Sequence, residues 1–144
     1  MNSTTISKTI FIDAPRETVW SYLTEKDKLA LWFHTANANF TEGKDYYFTH
    51  KNRDEDNKPL IWGKVVTMEA PNKLVYTFTI EPFGEADTTV TCLLEEAATG
   101  TRLSLMHEGV AEATGPMAMQ LLMSLDSGWD EHLSDFRKVV PVNQ

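Results

Sequence analysis

Four histidines, His34, His50, His107 and His132, are the side chains best suited to proton transfer or metal ligation. They are far apart along the chain and form neither an H-x-H nor an H-E-x-x-H spacing, so no metal site is expected. His50 and His107 draw more interest, because strand alternation sends both toward an apolar face. Two readings stay open for them. Each is a hydrogen-bonded core or rim histidine, or each gives an apolar pocket one of its few polar contacts. Glu95-Glu96 and Asp54-Glu55-Asp56 pair carboxylates, but at turns, where solvated charge is the ordinary explanation. The stretch from Asp54 to Lys58 lacks the central glycine and terminal glutamate of a calcium loop. Cys92, the sole cysteine, reads as an inert buried thiol. No G-x-S-x-G, Walker or dinucleotide glycine pattern occurs, so no catalytic residue is assigned and no cofactor is expected.

The elements that must position these residues follow from periodicity. From Gly115 to Val140 apolar residues recur three and four apart at Leu121, Leu122, Leu125, Trp129, Leu133, Phe136, Val139 and Val140, one stripe of a long helix. Pro116 suits its first turn and Thr114 is an available cap. Ile6 to Asp13 reads as a first strand. Pro15 opens a short helix with Val19, Trp20 and Leu23, and Thr24 begins a second with Leu29, Trp32 and Phe33. From Ala36 to His107 the pattern alternates. Tyr46, Phe48 and His50 share a face, as do Leu74, Tyr76 and Phe78, then Val90, Cys92 and Leu94, then Leu103, Leu105 and His107. Between Ile61 and Val66 the buried face is ambiguous. About six strands joined by short turns imply an antiparallel meander with one face buried. Such a sheet must twist and curl, and the terminal helix is the element able to fill its concave side.

The 144 residues fit one domain, 1–144, with 42% hydrophobic and 24% charged residues. A net charge of −8 argues against a phosphate-backbone binder, so no nucleic-acid partner is expected, and against adhesion to an anionic membrane leaflet. No window approaches about 18 continuous apolar residues, and the N-terminus lacks a basic region followed by an apolar run. A cytoplasmic protein without membrane insertion is the expectation.

The ordered set Ile10-Phe11-Ile12-Asp13-Ala14-Pro15, Val19-Trp20, Leu29 to Phe33, Gly63-Lys64-Val65, Ala70-Pro71 before Leu74-Val75-Tyr76, and Gly100 to Leu103 resembles the START-like (SRPBCC) superfamily. Gly128-Trp129 through Leu133 is similar to the branch named after the C-terminal domain of the activator of heat shock protein 90 ATPase. The resemblance implies an α+β helix-grip fold, a sheet wrapped around the long helix, often with a hydrophobic cavity between them. Members bind lipids, hormones, polyketides or flavonoid-like molecules, and some are cyclases. The eukaryotic activator has a further N-terminal domain, which a chain opening at its first strand is expected to lack.

In this arrangement Trp32, Phe48, Trp62, Tyr76 and Phe78 would line the space between helix and sheet. Met117, Leu121, Leu125 and Trp129 would face them from the helix, with His50 and His107 as the polar contacts. Methionine suits adaptable binding surfaces, and Met117, Met119 and Met123 stand where a pocket mouth would open. The leading expectation is a non-catalytic binding protein for a small hydrophobic molecule, aromatic or lipid-like. Burying about 300 Å² of ligand would contribute on the order of 7 kcal/mol before association costs. Two alternatives stand beside it. One is a cyclase- or hydrolase-type enzyme using His50 or His107 as acid or base; the other is an interaction module that contacts a chaperone.

Overall fold

The terminal helix forms over Ala118–Val139 (α4), three residues later than the sequence suggests. Gly115 has φ of +54° and ends a separate short helix, Val110–Thr114 (α3), and Gly115–Met117 then makes one 3₁₀ turn. Pro116 has no N–H to give the preceding turn, so a continuous helix through it is disfavoured. Thr114 is not a cap. Its hydroxyl donates to the Val110 carbonyl at 2.8 Å.

The structure is a computed structural model that describes residues 3–49 and 59–143. Strand β1 (Ile6–Ile12) leads to α1 (Arg16–Thr24) and α2 (Lys26–Trp32). Pro15 flanks α1 rather than opening it. Thr24 closes α1, its hydroxyl donating to the Trp20 carbonyl at 3.0 Å. The open N-terminus of α2 is instead served from a distance, by Asn39 Oδ1 accepting the Lys26 N–H at 2.9 Å.

Six further strands follow: β2 (Thr35–Ala36), β3 (Asp45–Thr49), β4 (Ile61–Glu69), β5 (Lys73–Phe78), β6 (Thr88–Ala97) and β7 (Gly100–Glu108). They form one antiparallel sheet in the order β1-β7-β6-β5-β4-β3-β2, curled into a half-barrel around α4: a helix-grip fold. Alternation sets the inner face as expected. Tyr46, Phe48, Leu74, Tyr76, Phe78, Val90, Cys92, Leu94, Leu103, Leu105 and His107 are all buried. On β4 the inward residues are Ile61 and Val65, and the register shifts between Val65 and Thr67. No helix among the described residues is long and apolar enough to cross a membrane.

Aromatic rings fill both flanks of the interior. Phe40, Tyr46 and Tyr76 meet with centroids 5.1–5.6 Å apart. On the other side Trp32 stacks on Phe136 at 4.8 Å and donates its indole N–H to the Tyr22 carbonyl at 2.7 Å. At the sheet edge Lys8 reaches Asp126 and Asp130 of α4 at 2.7 and 2.9 Å. Both carboxylates are more than half exposed, so each pair contributes under about 1 kcal/mol. Apolar burial therefore holds the helix in place. Phe136 is fully buried, and replacing it with alanine removes its contacts with Trp32 and leaves a cavity. Phe136→Ala is expected to lower unfolding stability by about 3–5 kcal/mol in a guanidinium titration. A midpoint equal to that of the parent protein would show that the grip on α4 is not what stabilises the fold.

Candidate functional site

Between α4 and the inner face of the sheet lies a cavity of about 160 Å³. Phe33 and His34, where α2 runs into β2, form one wall. Leu60, Ile61, Phe78 and Ile80 close the sheet side, and Leu125, Gly128, Trp129 and His132 come from α4. The spacing 125, 128, 129, 132 is one face of a helix, which is why one element supplies the whole roof. Gly128 contributes space: a Cβ built there meets no atom within 4 Å.

Phe33 is the ring the others gather around. It lies parallel to Trp129 with centroids 5.5 Å apart and edge-on to Phe48 at 5.0 Å. It also touches the imidazoles of His34 and His132, each at 4.6 Å. Those two imidazoles are 5.1 Å apart. His132 Nδ1 lies 3.2 Å from the Trp32 carbonyl, which can only accept, so Nδ1 carries the hydrogen and Nε2 is the acceptor nitrogen of the neutral ring. Burial pulls the His132 pKa below its usual value, opposed by the Trp32 carbonyl, Asp135 and Glu131.

Behind the cavity, His107 is fully buried and bonded at both nitrogens. Trp129 Nε1 donates to its Nδ1 at 3.0 Å. An indole N–H only donates, so the ring hydrogen must sit on Nε2, which lies 2.7 Å from Thr88 Oγ1. Thr88 in turn donates to the Phe78 carbonyl at 2.7 Å. The imidazole is thus held neutral in one tautomer, and burial takes its pKa down to about 4. With both nitrogens committed and no solvent exposure, His107 offers the cavity no free ring nitrogen in this structure.

The lining residues expected from sequence divide by position. Phe78, Leu125 and Trp129 line the cavity. Phe48 backs Phe33, and Trp32 lies behind the wall against Phe136. Tyr76 belongs to the flanking aromatic group, and Leu121 is buried but not part of the lining. Trp62 borders a groove with Tyr47, Lys64 and Glu81 instead of the cavity, because Ile61 and Val65 take the inward positions of β4. Met117 is 46% exposed and is not part of the lining, since the break at Gly115 starts α4 beyond it. His50 lies outside the described residues. Phe33, His34, Gly128 and His132 join the lining although sequence reasoning does not place them there. The spacing of Trp129 and His132, one helical turn apart, is the signal that could have found one of them.

Elsewhere the chemistry is quiet. Glu95 pairs with Arg102 at 3.1 Å and Glu96 with Arg16 at 3.3 Å, on the surface. Cys92 is buried, and burial pushes its thiol up to about 12. No group of three or more His, Cys, Asp or Glu side chains gathers among the described residues.

Residues 13–140 match the family described as "Activator of Hsp90 ATPase homolog 1-like protein". Comparison with curated proteins gives no match. Among solved structures the chain is similar to CalU16 from Micromonospora echinospora, at 25% identity and a TM-score of 0.72 over 91% of this chain and 72% of that one. It is also similar to MLL2253 from Mesorhizobium loti, at 20% identity and a TM-score of 0.78 over 93% and 94% of the two chains. The Aha1 dimer from Colwellia psychrerythraea follows at 17% identity and a TM-score of 0.75 over 94% and 95%. The last two likenesses speak for the fold alone.

His107 makes acid a destabilising condition. A histidine with a folded pKa below its unfolded value of 6.5 binds protons more readily when unfolded, so its contribution is complete above 6.5 and declines as pH falls toward about 4. The loss between pH 7 and pH 4 is expected to reach about 3 kcal/mol, since each tenfold difference in proton affinity is worth about 1.4 kcal/mol. Chemical denaturation at both pH values, on the parent and on His107→Gln, checks this. The variant should lose that part of the pH dependence.

Proposed function

The chain belongs to the Activator of Hsp90 ATPase homolog 1-like protein family, and from that premise we propose that it binds a small hydrophobic ligand in the cavity between α4 and the sheet. The observation that carries the reading is an apolar, aromatic-walled space whose roof has a missing side chain at Gly128. The match to the family names a fold lineage and not an activity, so the site has to make the argument.

The size of the space limits the guest. A cavity of about 150 Å³ lined by apolar side chains is known to take benzene, and this one is about 160 Å³. It therefore holds one ring, or the ring-sized end of a longer molecule. Burying one ring removes about 150 Å² from water, worth about 4 kcal/mol before association costs, so a lone ring should bind no more tightly than a Kd of about 1 mM. That is weaker than the larger contact area expected from sequence, and a tighter ligand must extend along the outer surface. Retaining Trp129 and Phe33 in a parallel stack keeps the wall formed before a ligand arrives, which lowers the ordering cost.

Gly128 gives a direct test. An alanine there gains helix propensity of about 1 kcal/mol and meets no neighbour, so Gly128→Ala should raise stability. Gly128→Phe should fill the cavity while the fold persists. In an NMR titration with single-ring aromatics, the parent should show saturable shifts at Phe33, Phe78, Leu125 and Trp129, and Gly128→Phe should show none. Shifts that persist unchanged in Gly128→Phe would place binding elsewhere and end this reading.

A further inference from the structure

Among the described residues the lining of the cavity is apolar except at one corner, where His34 and His132 face each other across 5.1 Å beside Phe33. The indole N–H of Trp129 is committed to His107, so among the described residues the two imidazoles supply the polar character of the lining. A site built this way discriminates by what a guest offers that one corner. We propose, building on the ligand-binding reading above, that the cavity selects a phenol: one aromatic ring with a neutral hydroxyl directed at Nε2 of His132.

The hydrogen-bond geometry favours a donor over an acceptor. The Trp32 carbonyl takes the Nδ1 hydrogen of His132, which leaves a lone pair on Nε2 of the neutral ring. A hydroxyl can donate to that lone pair, and a carboxylate cannot. The charged surroundings point the same way. Glu131 and Asp135 both act on His132, and the whole chain carries a net charge of −8, so an anionic guest is repelled at this corner. His34 also faces His132, and Phe33 is packed against both. The parallel spacing of Phe33 and Trp129 supplies aromatic surface for the guest's ring, as aromatic pairs prefer. The volume of about 160 Å³ leaves room for the ring and its oxygen and little more.

Three probes, toluene, phenol and benzoate, titrated into the full chain by NMR, test this. Toluene reports on the cavity alone, and the phenol-to-toluene affinity ratio reports on the imidazole. In His132→Leu the phenol-to-toluene ratio is expected to fall about fivefold or more, the worth of one hydrogen bond, whatever the change in toluene affinity itself. In the unmutated chain, phenol should shift the Nε2 resonance of His132 further than toluene does, a readout that requires no variant to fold. A ratio unchanged by His132→Leu, or benzoate binding more tightly than phenol, overturns the assignment of a phenol while leaving the cavity reading standing. Binding of neither toluene nor phenol overturns both.

Discussion

A chain of three hydrogen bonds under α4 fixes the one wall on which the cavity depends. The indole of Trp129 donates to His107, His107 donates to Thr88, and Thr88 donates to the Phe78 carbonyl. Each donor has one acceptor and the direction cannot be reversed, because the indole has no lone pair to offer and the carbonyl has no hydrogen. A net gain of about 1 kcal/mol per bond is ordinary, but an orphaned buried member would cost about 1–3 kcal/mol. No buried side-chain nitrogen or oxygen among the described residues is left without a partner. The arrangement therefore holds the Trp129 ring at one angle, and that angle sets its parallel stack on Phe33. His107 positions Trp129 through its Nδ1, which gives the buried histidine a structural reason to be there.

The inner face of the sheet was legible because burial and strand period agree from β5 to β7. Leu74, Tyr76 and Phe78 pair across to Cys92, Val90 and Thr88, and each alternation holds its register. Strand β4 resisted because Ile61, Trp62, Val65 and Val66 offer apolar residues to both sides, and a register shift follows Val65. Trp62, being the largest, was the natural candidate for the interior. Ile61 and Val65 hold it instead, opposite Phe48 and Tyr76. The start of α4 was overextended for a different reason. Gly115-Pro116 looks like a helix opening, yet the same pair also closes α3 through the positive φ of Gly115.

The two-histidine corner was legible only in part. His132 lies one turn beyond Trp129, so its side of the helix could be read from spacing. That His34 meets it could not, because the meeting depends on where α2 stops. Phe33 N–H bonds back to Leu29 at 2.8 Å, and the chain then turns into β2, which pairs with the end of β3. His34 sits in that short link between a helix and a strand. Local pattern assigns no face to such a residue, and only tertiary contact orients it.

Why the cavity is small follows from the same packing. A half-barrel of seven strands encloses more space than one helix fills, and the surplus is taken up by rings on both flanks. Phe40, Tyr46 and Tyr76 occupy one side, and Trp32 with Phe136 occupies the other. What stays open is the stretch of α4 where the side chain is absent at Gly128 and the neighbours one turn away are Leu125 and His132. Gly128 is thus a helix position that bears directly on this volume: a Cβ there meets no atom within 4 Å, so a side chain could enter the space from α4 without pressing on the sheet.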